Sequence, residues 1–482
     1  MKFFISLILL TLLVFLKDVP VILTKRYLIF VLSLNLVALI LFSLRRENEV
    51  NLKKQYFKIS TLFLVGFIIV HFQIYLEYVL GTYENFGQDY FYDTTMVPKA
   101  TLVASIALNA FLLGYMFFKK ENIRIKKEYK ISPKKLIFYF NLIMFFLFIL
   151  TTDFKYFLGG YGRNGIELSA LSSFSNEFYL FSTLGYIIII VRNSLIKNNQ
   201  IDNLFDYLKL FNFFFKVVLF MFFILVLLSG DRGPLIQIGL VLFGGFIILS
   251  KKKYKLPTVI FLLFIAASLI SFIAYVREFK DTNSYLEKIE IANKAKSVSG
   301  KSKAFSSNTL ELAASVRSYH AAIIFTENVS HTYGIFQGFQ LFSIIPGFRS
   351  VFLSLTGVDS EDVVSTKFLT RQIQGEEITH GLGTTSLADI YLDFGVIGTL
   401  IMFYGFGYFL RMLEVKIFIS QAPSLFSSSL FFVFLSKSVY LGRSQIMMVF
   451  KEAVIIFLII ILFTYLSELL MKFKIDLKKN EN

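Results

Sequence analysis

Between Arg371 and Asp393 the sequence crowds together groups that handle protons and anions: Arg371, Glu376, Glu377, His380, Asp389 and Asp393. A carboxylate or an imidazole can take the proton of a hydroxyl if it is placed and tuned for the task. Glu376, Glu377, His380 and Asp389 are therefore candidate bases. Gly381 and Gly383 would let the backbone come close to a ligand. The plainer reading is a solvent-facing loop ahead of a helix, with Thr384, Thr385 or Ser386 as its N-cap. Asp389 and Asp393, four residues apart, share one face of the helix that follows. There they would orient hydroxyls, act as base or pair with an arginine, or simply be acids favoured at a helix start.

The second chemical theme is arginine. Arg232 lies in the break Ser229-Gly-Asp-Arg-Gly-Pro234 between two apolar runs, where Gly and Pro permit a sharp turn. The helix that begins at Pro234 turns its positive end toward this break. A guanidinium there matches the oxygens of a diphosphate, although an Asp231–Arg232 turn anchored to lipid headgroups would have the same sequence. Arg349 follows Pro346-Gly347, and Arg317, Arg371 and Arg443 lie in other polar segments. Taken singly each is an ordinary loop charge. As a set with Arg232 they make a cationic site. His71, Glu77, Glu177 and Lys437 fall inside apolar runs; Lys437 is near an end and can snorkel, while His71 is deeper.

These residues must be held by membrane helices. The chain has 482 residues, of which 56% are hydrophobic, with 59 Phe and no Trp, and its mean hydropathy is +0.66. The apolar runs have the length that crosses a hydrocarbon core of about 30 Å, and they do not alternate as barrel strands do. The fold class is all-α, a polytopic integral membrane protein. Twelve spans are expected, near 3–16, 27–44, 59–80, 97–118, 135–151, 173–191, 210–229, 234–250, 257–275, 386–412, 424–441 and 453–471. The first is read as a retained anchor, because Lys17-Asp-Val-Pro20 is no cleavage site for a signal peptide. The net charge of +16 sits in short loops, where it sets topology, and does not point to nucleic acid. Cysteine is absent, so there is neither a disulfide frame nor thiol chemistry.

With twelve spans, the basic loops at 45–58, 119–135 and 251–255 and the tail at 472–479 all face the cytoplasm, as do both termini. Three parts follow: helices 1–9 over 1–275, a large outer loop over 276–385, and helices 10–12 with a tail over 386–482. The loop is far longer than an ordinary connection. It balances eleven Lys and Arg against eleven Asp and Glu, so its chemistry rests on single charges in chosen places. Residues 291–308 are rich in Ser and Lys and read as a flap or linker. Residues 310–325 have helical spacing and include Arg317 and His320. Residues 335–348 form an interfacial helix ended by Pro346-Gly347. Ser299-Gly-Lys-Ser302 imitates the end of a phosphate loop but lacks its first Gly, having Ala295 there, so direct ATP use is not expected. No metal site is expected; Asp359-Ser-Glu-Asp362 reads as a surface cluster.

At Gly230-Asp-Arg-Gly-Pro-Leu235, and again at Gly381-Leu-Gly-Thr-Thr-Ser-Leu-Ala-Asp-Ile-Tyr-Leu-Asp-Phe-Gly-Val-Ile-Gly398, the chain resembles the Wzy-type O-antigen polymerases, which join oligosaccharide repeat units. The layout of about twelve spans, a mid-chain Arg-Gly turn and one large late loop adds to the likeness. The arginine–glycine repeats of some such polymerases are not evident: eleven residues after Arg163, Arg232, Arg349 and Arg371 stand Phe174, Phe243, Ser360 and Leu382.

The resemblance implies a GT-C-like glycosyltransferase of the bacterial inner membrane that works at the periplasmic face. A glycan on polyprenyl diphosphate would pass to the sugar end of a second lipid-linked repeat unit, with diphosphate as leaving group and no cofactor. Arginines such as Arg232, Arg349 and Arg371, with Arg317 and Arg443, would hold the diphosphate. His380, Glu376, Glu377 or Asp389 would activate the acceptor hydroxyl. Expected partners are the lipid-linked oligosaccharides, the bilayer, a chain-length regulator and a flippase. Two other functions fit the same layout: an O-antigen ligase acting on lipid-A core, and a lipid-linked oligosaccharide flippase.

Overall fold

The helices start and stop where local chemistry says they should. Thr24, Ser169, Asn203, Asn212, Thr385 and Ser424 each accept a first-turn N–H through the side chain, satisfying donors that a helix start leaves open. Pro98 and Pro234 occupy first turns, where a missing N–H costs nothing. Gly81 and Gly230 end their helices in the left-handed region.

The structure, a computed structural model, describes residues 1–45, 57–82, 91–118, 133–157, 168–250, 309–345, 347–375, 381–420 and 422–480. In chain order the helices are α1 (Lys2–Phe15), α2 (Lys25–Ser43), α3 (Ile59–Leu80), α4 (Val97–Phe117), α5 (Lys134–Thr151), α6 (Ala170–Ile196), α7 (Leu204–Lys209), α8 (Phe213–Ser229), α9 (Gly233–Leu249), α10 (Leu310–Ala313), α11 (Val316–Asn328), α12 (Ile335–Phe342), α13 (Phe348–Thr356), α14 (Ser360–Val363), α15 (Ser365–Gln374), α16 (Ser386–Ile419), α17 (Leu425–Lys437) and α18 (Ile446–Asn480). No strand occurs among the described residues; Ile201 and Ser250 form a single bridge.

Seven of the described helices are long and apolar enough to cross a membrane: α2, α3, α4 with its preceding turn, α5, α6, α16 and the first part of α18. Helices α8, α9 and α17 are apolar but shorter. The expected span at 257–275 and the flap at 291–308 lie outside the described residues. Helix α17 covers the span expected at 424–441, yet it has only 13 residues. At 1.5 Å per residue it is about 20 Å long, well short of the hydrocarbon core. It ends against the middle of α3: a Cβ on Gly66 would collide with the Val439 carbonyl, and one on Gly442 would crowd the Gly66–Phe67 backbone.

The core of the bundle is the parallel pair α4 and α16. Their backbones touch because Gly114 meets Tyr404 and Gly407 meets Phe111, with no room for a Cβ at either glycine. At one end of this pair Glu414 is buried; it accepts the Ser60 N–H at 2.8 Å and the Tyr115 hydroxyl at 2.6 Å. The other end carries the helices of 309–375 and is called the loop end below. Helix α16 is kinked there at Gly395, whose φ of 62° and ψ of −152° break the helix. The His331 ring packs where a Gly395 side chain would stand.

Candidate functional site

Four segments meet at the loop end: the outer half of α3, the start of α11, the strap 381–385 with the first turn of α16, and the turn Leu441–Gln445. Each is fixed by a specific contact. The Gly383 carbonyl accepts the Ser318 hydroxyl at 3.0 Å. The Leu382 N–H donates to Thr370 of α15 at 3.2 Å. Thr385 caps α16 by accepting the Ala388 N–H at 3.0 Å, so one of the three expected caps is the one used. Arg443 comes up against Gly383, its Nε about 4.0 Å from where a Cβ would stand.

Asp389 is 1% exposed. Oδ1 accepts the Thr384 hydroxyl, and Ser365 and Gln445 flank the same carboxylate. Gln445 also donates to Ser365 Oγ at 2.6 Å. The Asp389 Oδ2 atom is buried without a hydrogen bond. Asp393, one turn on, has a different task. It accepts the Thr332 hydroxyl at 2.5 Å, the Phe336 N–H at 3.3 Å and the Gln337 N–H at 2.8 Å. It thus caps α12 from outside that helix, and its charge faces the positive helix end.

The arginines divide into two groups. Arg443, Arg317 and Arg371 belong to the junction: the first lies against the strap, the second stands in the first turn of α11 with its Nε buried and unbonded, and the third is on α15. Arg371 also faces Asp362 at 3.6 Å, with the Arg371 side chain 34% exposed. Arg232 is placed by α8 and α9, which pack on α5, α6 and α17. The direction of α9 puts it at the loop end. Its turn is a closed local motif, Gly233 N–H donating to Asp231 Oδ1 at 3.0 Å. Arg349 is exposed on α13. Glu376, Glu377 and His380 lie outside the described residues, as does Arg163.

Residues that the sequence singled out less strongly form the inner wall. His320 is fully buried and shares a 2.7 Å hydrogen bond with the Tyr75 hydroxyl. Burial pushes its imidazole down to about 3; Asp93 pulls the other way and Arg317 adds to the drop. It is neutral at any physiological pH. Burial also holds the Tyr319 hydroxyl well above the usual tyrosine range. The Tyr319 ring stands edge-on to His71 at 5.8 Å and to Tyr391 at 6.0 Å. Glu77 is not loose in its span: Gln73 donates to it at 2.8 Å, and Thr309 donates to Gln73 at 2.7 Å. Lys437 does not snorkel as the sequence allowed; it pairs with Glu452 of α18 at 3.0 Å. The signal that could have found His320 is its helical spacing from Arg317 beside a buried tyrosine, and nothing in sequence pairs it with Tyr75, 245 positions away.

A cleft of about 540 Å³ lined by Asn198, Gln200, Asp206 and Leu210 lies at the opposite end and contains none of these residues. A smaller one of about 400 Å³, lined by Val21, Tyr78, Phe91 and Thr94 among others, flanks the His320 wall at the loop end.

Fold and site together define a polytopic, all-helical membrane protein that gathers arginines, a buried carboxylate and unpaired hydroxyls at one end of its bundle. The chain belongs to the family O-antigen polysaccharide polymerase Wzy, whose model matches residues 1–474. None of the curated proteins and none of the solved structures compared with it matches. Its function is accordingly O-antigen polymerisation, a polymerising, glycosyltransferase-like activity on lipid-linked oligosaccharide repeats by a multi-pass inner-membrane protein.

Proposed function

We propose that this chain is a polyprenyl-diphosphate-dependent glycosyltransferase that forms each new glycosidic bond at the Arg443–Asp389 junction. The observation that carries the reading is the convergence just described. The turn holding Arg443 and Gln445 meets the strap at Gly383 and the carboxylate of Asp389, although more than fifty positions separate them in the chain. Arg443, Arg317 and Arg371 bind the donor diphosphate and stabilise the charge that grows on it as the C1–O bond breaks. Arg232 and Arg349, at the same end, guide the headgroup in and out. Asp389 takes the proton of the acceptor hydroxyl as its oxygen bonds to C1. His380, Glu376 and Glu377, on the segment just before the strap, are the other candidates for that role. Diphosphate is an adequate leaving group, so no nucleotide is consumed.

In this reading the twelve apolar runs form a GT-C-like arrangement in which the run at 424–441 enters the membrane without crossing it as a single helix, with 1–275 and 386–482 as the membrane parts and 276–385 as the large loop. The loop end faces the periplasm and both termini face the cytoplasm. A chain-length regulator and a flippase work beside it. The ligase and flippase alternatives gain nothing from the geometry or from the family.

The test is a pair of substitutions in a strain lacking the native gene. Arg443→Ala and Asp389→Asn should insert normally and yield surface glycan capped with single repeat units. Arg232→Ala should do the same or shorten the chains. An unchanged chain-length distribution for both Arg443→Ala and Asp389→Asn would refute the site.

A further inference from the structure

Three neutral side chains from three separate segments surround the Asp389 carboxylate. Thr384 belongs to the strap and donates to Oδ1. Ser365 opens α15, and Gln445 closes the turn that carries Arg443; both reach the same carboxylate. Asp389, Thr384, Ser365 and Gln445 are each at most 5% exposed. A buried amide or hydroxyl costs free energy unless it is hydrogen-bonded. Gln445 and Ser365 meet this need together, the Gln445 Nε2 donating to Ser365 Oγ at 2.6 Å across 80 positions of chain.

The direction of that bond sets the next one. A serine hydroxyl has one hydrogen to give and lone pairs with which to accept. Ser365 Oγ accepts from Gln445, so its own hydrogen is left to face the carboxylate. Thr384, Ser365 and Gln445 carry no charge, and they fix the carboxylate without forming an ion pair with it. The turn behind Gln445 is itself rigid. The Tyr440 N–H donates to the Lys437 carbonyl and the Arg443 N–H to the Tyr440 carbonyl, both at 2.8 Å. Gly442 is pressed onto the Gly66–Phe67 backbone of α3. Two residues of backbone span at most about 7 Å, so whatever fixes Gln445 also fixes Arg443. The helix tethered through Ser365 is the one that carries Arg371.

We infer that Gln445 is a positioning residue, acting through Ser365, that aims the Asp389 carboxylate at the acceptor hydroxyl and holds it in register with Arg443 and Arg371. The inference rests on Asp389 being the base. Oδ1 is engaged by Thr384, and Oδ2 is buried without a hydrogen bond. Oδ2 is therefore the oxygen left to take the proton as the acceptor oxygen bonds to C1. Gln445 touches neither the sugar nor the diphosphate. It ties the segment that takes the proton to the segments that hold the leaving group, so that both act on one bond.

The experiment uses the full chain in proteoliposomes with purified lipid-linked repeat units, and expresses rates per folded molecule. Gln445→Met keeps the length of the side chain and removes the amide. It should lower kcat on the order of tenfold and leave KM unchanged. Ser365→Ala, which removes a single oxygen, should lose about as much and serves if Gln445→Met does not insert. The double variant should be no slower than the slower single one, because both substitutions cut the same tie. A tie that serves folding alone would reduce the amount of folded protein and leave its kcat as wild-type. That result overturns the inference, as do losses that multiply in the double variant. Asp389→Asn separates the two levels. If it is inactive while Gln445→Met is wild-type, the positioning role alone fails. If it is active, the base assignment fails and takes the positioning role with it.

Discussion

At the scale of single residues, the two aspartates four apart on α16 differ in how their carboxylates are used: Asp389 keeps a buried oxygen without a hydrogen bond, and Asp393 does not. Asp393 spends its carboxylate on three donors from the start of α12. Asp393→Ala strips a charged cap from buried amides and should cost about 2 kcal/mol. Thermal unfolding in detergent would register this as a lower midpoint, partly restored in Asp393→Asn. His320 offers a second test. Its pKa is near 6.5 in an unfolded chain and about 3 in the fold. Between those values the unfolded chain binds a proton that the fold excludes. Its contribution to stability is therefore complete above pH 6.5 and declines as the pH falls toward 3. Melting midpoints at neutral and mildly acidic pH should diverge, and the divergence should shrink in His320→Gln, which keeps a partner for Tyr75 and does not titrate.

At the scale of elements, the bundle is set by glycines that allow backbone to touch backbone. Gly114 and Gly407 join α4 to α16, and Gly66 seats the end of α17 on α3. Gly407→Val has to push the two helices apart and should reduce the amount of folded protein. Gly66→Val acts elsewhere: it lifts the turn that carries Arg443. It should leave the protein in the membrane while long glycan disappears, which immunoblotting of protein and glycan in one culture would show. The kink at Gly395 makes the same point about conformation, because its φ of 62° is one that a residue with a Cβ rarely adopts.

At the scale of the molecule, the spans were legible because hydropathy is a local property. Eleven of the expected runs coincide with described helices, and the cap of α16, Thr385, is one of the three residues expected there. The site was legible in its parts and not in its assembly. Arg443 and Asp389 were visible as polar groups, but that their two segments meet depends on Gly66, Gly383 and Gly442, whose roles appear only on contact. Asp393 looked like a second site acid, since the amides it caps lie 56 and 57 positions away. The run at 424–441 was apolar enough to be read as a full span, and composition does not say where a helix turns back. Because the chain has no cysteine, its orientation can be read directly. Single cysteines introduced at Tyr92 or Lys367 should react with an impermeant reagent from outside the cell, and one at Phe473 only after the membrane is opened. The half-length of α17 has a further consequence. A helix of about 20 Å is shorter than the roughly 30 Å hydrocarbon core, and we propose that the Arg443 turn it carries lies below the headgroup plane, where a phosphorylated lipid reaches it by sinking slightly, its tail never leaving the leaflet. The catalytic rate should then depend on acyl chain length: in vesicles of longer-chain lipids the turn lies deeper and polymer elongation slows, while binding of soluble glycan is untouched.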